Sequence, residues 1–288
     1  MLRKIRLTLS ILFFVMVTFL FLDFTGLLHG WFGWVAKVQF LPALLALNIG
    51  VVLLLLLLTL FLGRVYCSII CPLGVFQDVI SWISGQTRKK KNRFSYSPAL
   101  KALRYGFLVL FIIALAAGVN SLVALLAPYS SYGRIAGNLF APFWQWGNNF
   151  LAHLAERADS YAFYSTEVWI KSLPTFIVAA VTFIVLAVLA WRNGRTYCNA
   201  ICPVGTFLGF ISCFSVFRPV IDAEKCRNCR LCEKRCKSAC IDIKNHQIDY
   251  SRCVACMDCL DTCKHDALHY INRFSTKREM KSVNEPAG

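Results

Sequence analysis

Eight of the fourteen cysteines fall into two runs of identical spacing. Residues 226–236 read C-x2-C-x2-C-x3-C through Cys226, Cys229, Cys232 and Cys236, and residues 253–263 repeat it through Cys253, Cys256, Cys259 and Cys263. Thiolates this dense bind metal. Four of them can hold a tetrahedral zinc ion, or they can wrap the corners of an iron–sulfur cube. Two complete runs with matching spacing favour cubes over zinc.

A second cysteine pattern is written twice. "RVYCSIICPLGVFQDVIS" (64–81) and "RTYCNAICPVGTFLGFIS" (195–212) share Arg, Tyr, two Cys, Pro, Gly, Phe and a closing Ile-Ser, 131 positions apart. Cys67 and Cys71 stand four apart, as do Cys198 and Cys202, which places each pair on one face of a helix. Pro72 and Pro203 suit the first position of a new helix. The preceding cysteine then sits at a helix N-terminus, where the dipole favours thiolate, and Arg64 and Arg195 add positive charge. Three uses are open for these four thiols: ligation of a further metal centre, dithiol–disulfide chemistry, or packing as small apolar residues.

The elements that must position these cysteines are apolar. The chain of 288 residues is 57% hydrophobic and only 16% charged, with mean hydropathy +0.56, whereas soluble domains are about a quarter charged. Four runs approach the ~20 residues needed to cross a bilayer: 7–22, 38–62, 105–127 and 173–191. Each C-x3-C-P motif follows the second or fourth of them. Lys and Arg number three in residues 1–6 and eight in 63–104, against one in 23–37 and three in 128–172. The positive-inside rule then puts both termini and all the cysteine motifs on the cytoplasmic side of a bacterial inner membrane. A reducing compartment makes disulfides a poor use for these thiols. The net charge of +16 is explained by this topology and by attraction of basic loops to anionic lipid, not by nucleic-acid binding. The aromatic-rich segment 128–172 suggests one or two interfacial helices.

The expected fold is therefore a membrane protein. An all-α part of four transmembrane helices with an internal repeat spans 1–217, a small α+β module spans 218–272, and a disordered tail spans 273–288. Within the module, 241–250 alternates as a hairpin does, and 220–226 and 267–271 supply flanking strands. Its eight-cysteine pattern is similar to bacterial-type ferredoxins with two 4Fe–4S clusters, in which the fourth cysteine of each run ligates the other cluster. That assigns Cys226, Cys229, Cys232 and Cys263 to cluster one, and Cys253, Cys256, Cys259 and Cys236 to cluster two. The family has Pro after the fourth cysteine; here Lys237 and Lys264 stand there, which loosens the turn. Cys240 reads as a small apolar core residue.

Twin C-x3-C-P motifs together with this tail resemble the NapH-type membrane polyferredoxins and the wider group of NosR-like and CcoG-like proteins. The resemblance implies electron passage from membrane quinol, through iron–sulfur centres, to another electron-transfer protein or an oxidoreductase subunit. Two alternatives stay open: an assembly or maintenance factor that supplies reducing power or metal to a client metalloenzyme, and a membrane redox sensor. Haem b needs histidines paired across spans, and none of the five histidines lies in a predicted span. His29 and Asp23, at a membrane edge, are candidates for accepting a quinol proton, with an ordinary interfacial role as the alternative.

Overall fold

The computed structural model describes residues 1–23, 26–87, 94–157, 164–166, 168 and 172–274. The basic run at 88–93, Trp169 and all but two residues of the expected disordered tail lie outside the described residues.

Two helices, Leu2–Leu22 and Leu173–Asn193, are each 21 residues long and apolar enough to cross a membrane. Of the four runs expected to span, these two form continuous helices of sufficient length and apolarity. The run 38–62 divides into Phe40–Leu45 and Ile49–Leu62. The break falls at Leu47, whose φ is 53°, and at Asn48, whose Oδ1 caps the second piece by accepting from the Val51 N–H. The run 105–127 divides into Lys101–Ala116 and Asn120–Leu126 around Gly118, with φ 71°. Hydropathy alone sees an unbroken apolar run; a left-handed residue ends the helix regardless. Of the segment 128–172, residues 128–157 form Pro128–Ile135, a π turn at Ala136–Phe140 and Ala141–Arg157 in succession. Tyr132 and Ile135 are fully buried there, and the Tyr132 hydroxyl meets Thr18 Oγ1 of the first helix at 2.6 Å.

The two repeats interlock. Each motif forms a short helix, Val65–Ile69 or Thr196–Ala200, followed by a proline-started helix, Pro72–Thr87 or Pro203–Ser212. Pro72–Thr87 packs against Leu173–Asn193, which leads into the second motif, and Pro203–Ser212 packs against Ile49–Leu62, which leads into the first. Each half thus lays its second helix on the other half's apolar helix.

The C-terminal module holds four strands: β1 (Phe217–Ile221), β2 (Ile241–Asp242), β3 (Gln247–Ile248) and β4 (Leu268–Asn272). β1 pairs antiparallel with β4, Ile221 opposite Leu268, and β2 pairs with β3 as the expected hairpin. The flanking strand begins at Phe217, three residues before the expected start. The helices Leu231–Arg235 and Asp258–Thr262 pack together over a core of Ile221, Ile241, Ile243, Ile248 and Leu268. This module carries its own internal repeat, with an offset of 27 residues. It relates the two cysteine runs, the two short helices, and the left-handed residues Asn228, Arg230 and Ala239 to Ala255, Met257 and Asp266.

Candidate iron–sulfur and thiol sites

Two cavities in the module are lined by cysteine. Cys226, Cys229, Cys232 and Cys263 line the first, with Ile221, Ile243 and Leu268. Cys236, Cys253, Cys256 and Cys259 line the second, together with Cys240, Ile241 and Ile248. The fourth cysteine of each run therefore shares a cavity with the triplet of the other run. In each triplet the residues on either side of the second cysteine are left-handed: Asn228 and Arg230 around Cys229, Ala255 and Met257 around Cys256. Alternation of right- and left-handed backbone turns successive N–H groups inward and makes a concavity that attracts anions. A thiolate-ligated iron–sulfur cube is such an anion. Four sulfur donors, an apolar wall and a ring of amide dipoles fit it in both cavities.

The two cavities differ in setting. Cys229 is exposed and Cys226 half-buried, so the first faces outward. The second faces the helical part. Val254 is buried in the main apolar core beside Tyr66, Cys67, Cys71 and Cys202, and Cys256 packs against that core.

Buried polar contacts fasten the second cavity in place. Asp78 is the hub: its carboxylate takes both prongs of Arg195 at 2.8 and 2.7 Å, Arg6 Nη2 at 2.5 Å and Lys237 Nζ at 3.7 Å. Lys237 reaches on to Asp258 at 3.0 Å, and Arg3 pairs with Asp258 and Asp261. Burial by itself would raise the Asp78 pKa, but Arg195 and Lys237 override it and hold the carboxyl far below the usual carboxylate range. Backbone contacts add to this. The Arg195 N–H donates to the Lys237 carbonyl at 2.9 Å and the Val216 N–H to the Leu60 carbonyl at 2.8 Å. The Tyr270 hydroxyl donates to the Leu62 carbonyl at 2.9 Å. The last two cap orphan carbonyls at the end of Ile49–Leu62.

Three of these roles were not legible in sequence. The opening "MLRKIR" reads as a topology signal, yet Arg3 clamps the module and Arg6 joins the Asp78 hub. Lys237 reads as a missing proline that loosens a turn, yet its ammonium and its carbonyl both hold the interface; Lys264, its repeat counterpart, is exposed. Asp78 falls inside the repeated stretch but opposite Gly209 of the second copy, so the repeat gives no hint of it. Asp23 has a structural part: its carboxylate accepts from the Gly26 and His29 N–H groups at 2.9 and 3.0 Å, organising the turn before Leu27–Lys37.

The twin motifs bring their four thiols together. Cys67, Cys71, Cys198 and Cys202 are all buried, and each lies within electrostatic reach of the others. The arginines are exchanged between repeats. Arg195 Nη1 donates to the Cys67 carbonyl at 2.7 Å, and Arg64 Nη2 donates to the Cys198 carbonyl at 3.3 Å. Gly74 and Gly205 are required by this crossing, because a Cβ at either would overlap the same cysteine carbonyl, Cys67 or Cys198. Arg64, with no exposed surface, otherwise meets Asn199 Oδ1 at 2.8 Å, the Ser251 carbonyl at 3.0 Å and Cys67 Sγ at 3.8 Å. A buried guanidinium bonded to neutral oxygens and a thiol favours negative charge on the sulfur beside it.

The helix N-terminus behaves as expected in part. The Gly205 N–H does point at Cys202 Sγ, at 3.4 Å. Burial, however, outweighs the dipole: it raises Cys71 and Cys202 well above the ordinary thiol range, with neighbouring thiols adding to the effect. Cys198 is pushed up to about 11 by burial, against the pull of Arg195. The expectation that helix N-terminus and arginines together gather four thiolates thus meets an opposing effect of burial at Cys71, Cys198 and Cys202.

Fold and site together define an iron–sulfur electron-transfer protein whose long apolar helices point to membrane association. Two segments, 44–91 and 173–220, match a family described as "4Fe-4S binding domain"; these are the two copies of the C-x3-C-P repeat. The ferredoxin-type protein NapH of Haemophilus influenzae is 26% identical over 83% of this chain and 72% of its own length. NapH of Escherichia coli is 26% identical over 82% of this chain and 71% of its own. An uncharacterized protein of Methanocaldococcus jannaschii is 24% identical over 93% of this chain and 86% of its own. The resemblance to NapH-type polyferredoxins thus runs along most of the chain. No solved structure matches it.

Proposed function

We infer that this protein carries electrons from membrane quinol through iron–sulfur centres to a partner redox protein. The observation that carries the reading is the placement of the second cysteine cavity. Its loop at Val254–Cys256 enters the same apolar core as the twin-motif thiols, while the first cavity opens outward at Cys229.

The order of stations follows. Cys236, Cys253, Cys256 and Cys259 would hold a proximal cluster, on the side of the Cys67, Cys71, Cys198 and Cys202 site and the membrane, and Cys226, Cys229, Cys232 and Cys263 would hold a distal cluster on the outward side, where a partner could take electrons. The clusters, when bound, supply one-electron chemistry at potentials set by charge, hydrogen bonding and exposure. The protein's part is to hold them in line and to place buried cations beside the proximal one. Arg64, Arg195, Arg6 and Lys237 are shielded from salt, so their stabilisation of a reduced cluster is little screened. The Cys67, Cys71, Cys198 and Cys202 thiols act as a third redox station in this reading, ligating a metal centre. Multi-pass insertion with the module in the cytoplasm completes it.

The test is quinol-driven bleaching of the iron–sulfur absorbance in vesicles holding the anaerobically purified protein. Reduction by a quinol analogue is expected in the wild type and absent in Cys253→Ser. Quinol-driven reduction of an added soluble acceptor that survives removal of both clusters would overturn the assignment.

A further inference from the structure

Besides their setting, the two cysteine runs differ in one thiol. Under the 27-residue repeat of the module, Cys240 occupies the place of Ala267. At Ala267 the sulfur of Cys263 receives a backbone N–H at 3.4 Å, and the side chain offers only a methyl group. Cys240 is almost wholly buried, lines the second cavity, and brings its Sγ to 3.5 Å from Cys236 Sγ.

Either sulfur can donate while both are thiols. Once Cys236 ligates iron it carries no proton, so the donor must be Cys240. We propose that the Cys240 thiol is a tuning residue, donating an S–H···S hydrogen bond to the ligating sulfur of Cys236 and raising the reduction potential of the proximal cluster above the value it would have without this donor. A hydrogen bond to a cluster sulfur stabilises the added negative charge of the reduced state, which moves the potential up. The distal cluster, with Ala267 at this place, lacks that donor. The inference rests on the cluster assignments made above. It adds an electronic difference between two geometrically similar sites through a side chain that the sequence presents as core filling.

EPR-monitored redox titration of the full-length holoprotein, reconstituted anaerobically, tests it. The distal signal is identified by its loss in Cys229→Ser. In Cys240→Ala the midpoint potential of the proximal cluster should fall while the distal potential stays in place. Cys240→Ser keeps a donor and should restore most of the wild-type value. Unchanged potentials, or equal shifts of both clusters, would overturn the proposal. Loss of a whole cluster's iron in Cys240→Ala would also overturn it, because the thiol would then be a ligand. Iron and acid-labile sulfide, measured on the same wild-type samples, report separately on the cluster reading itself.

Discussion

The guanidinium of Arg195, in the second repeat, closes both prongs on the carboxylate of Asp78, in the first, and the arginine has no exposed surface. This pair joins the two halves of the helical part to each other. Through Lys237 and Arg6 it also joins them to the module and to the N-terminal helix.

Removing the carboxylate should therefore loosen all three joints together. Breaking a buried pair by deleting one partner costs about 3–5 kcal/mol, because the remaining charge is stranded. Asp78→Asn should lower the denaturation midpoint in detergent accordingly and expose the 213–217 connection to protease. A midpoint within error of the wild type would show that the hub carries no stability. The pH dependence has a definite sign. The folded carboxyl is held below its unfolded value, so its contribution is complete above about pH 4. It is lost as the pH falls from there towards the folded pKa. The wild type should lose stability over that acid range more steeply than Asp78→Asn.

Gly209 marks the other joint. A Cβ there would strike Arg104 Nη2 and the Ser251 carbonyl, and these two groups already hydrogen-bond each other at 2.7 Å. Gly209→Ala should displace the module's 249–252 turn from the helix Lys101–Ala116, read as faster limited proteolysis of the tail. Gly106→Ala, on that same helix with open space around it, should leave the digestion pattern unchanged. Equal patterns in both variants would contradict the docking described.

The order of the two clusters can be read by removing ligands one side at a time. Cys226→Ser should leave the proximal cluster reducible by quinol while abolishing delivery to a soluble acceptor. Cys253→Ser should stop reduction of the distal cluster as well. Rapid-freeze EPR after quinol addition distinguishes the two. Reduction of the distal cluster in Cys253→Ser at the wild-type rate would reverse the assigned order.

Iron content tests the four buried thiols. Replacing Cys67, Cys71, Cys198 and Cys202 together by Ser should lower iron per chain below the wild type while both ferredoxin-type EPR signals persist. Unchanged iron with faster loss of free-thiol titre under oxidant in the wild type would instead mark a dithiol pair.

The cysteine spacings marked the two metal-binding runs, because such runs are local, while the crossing of the fourth cysteine to the other run's cavity was legible only through the likeness to two-cluster ferredoxins. The hairpin at 241–250 was legible because its pattern is local too. What sequence did not reveal was long-range and ionic. Asp78 meets Arg195 across 117 residues and Arg3 meets Asp261 across 258, and no local pattern announces such partners. Hydropathy overstated the continuity of two spans because it averages over Leu47 and Gly118, single residues whose backbone angle ends a helix. The module's 27-residue repeat could have been found, since both cysteine runs were in view. Its signal outside the cysteines lies mainly in backbone conformation, with Lys237 and Lys264 a rare match in side-chain identity.

The crossing of Arg64 to Cys198 and of Arg195 to Cys67 bears on how such a chain could arise. Neither arginine finds an oxygen partner for its side chain within its own copy, Arg64 meeting there only the Cys67 sulfur, so an isolated single copy would leave a cation poorly partnered beside its own cysteines. Two separate copies related by a twofold axis would satisfy each other as the fused halves do. The polypeptide behaves as a dimer with its subunits stitched end to end. Once stitched, one copy was free to acquire Asp78 while the other kept glycine, an asymmetry that two identical subunits could never have held.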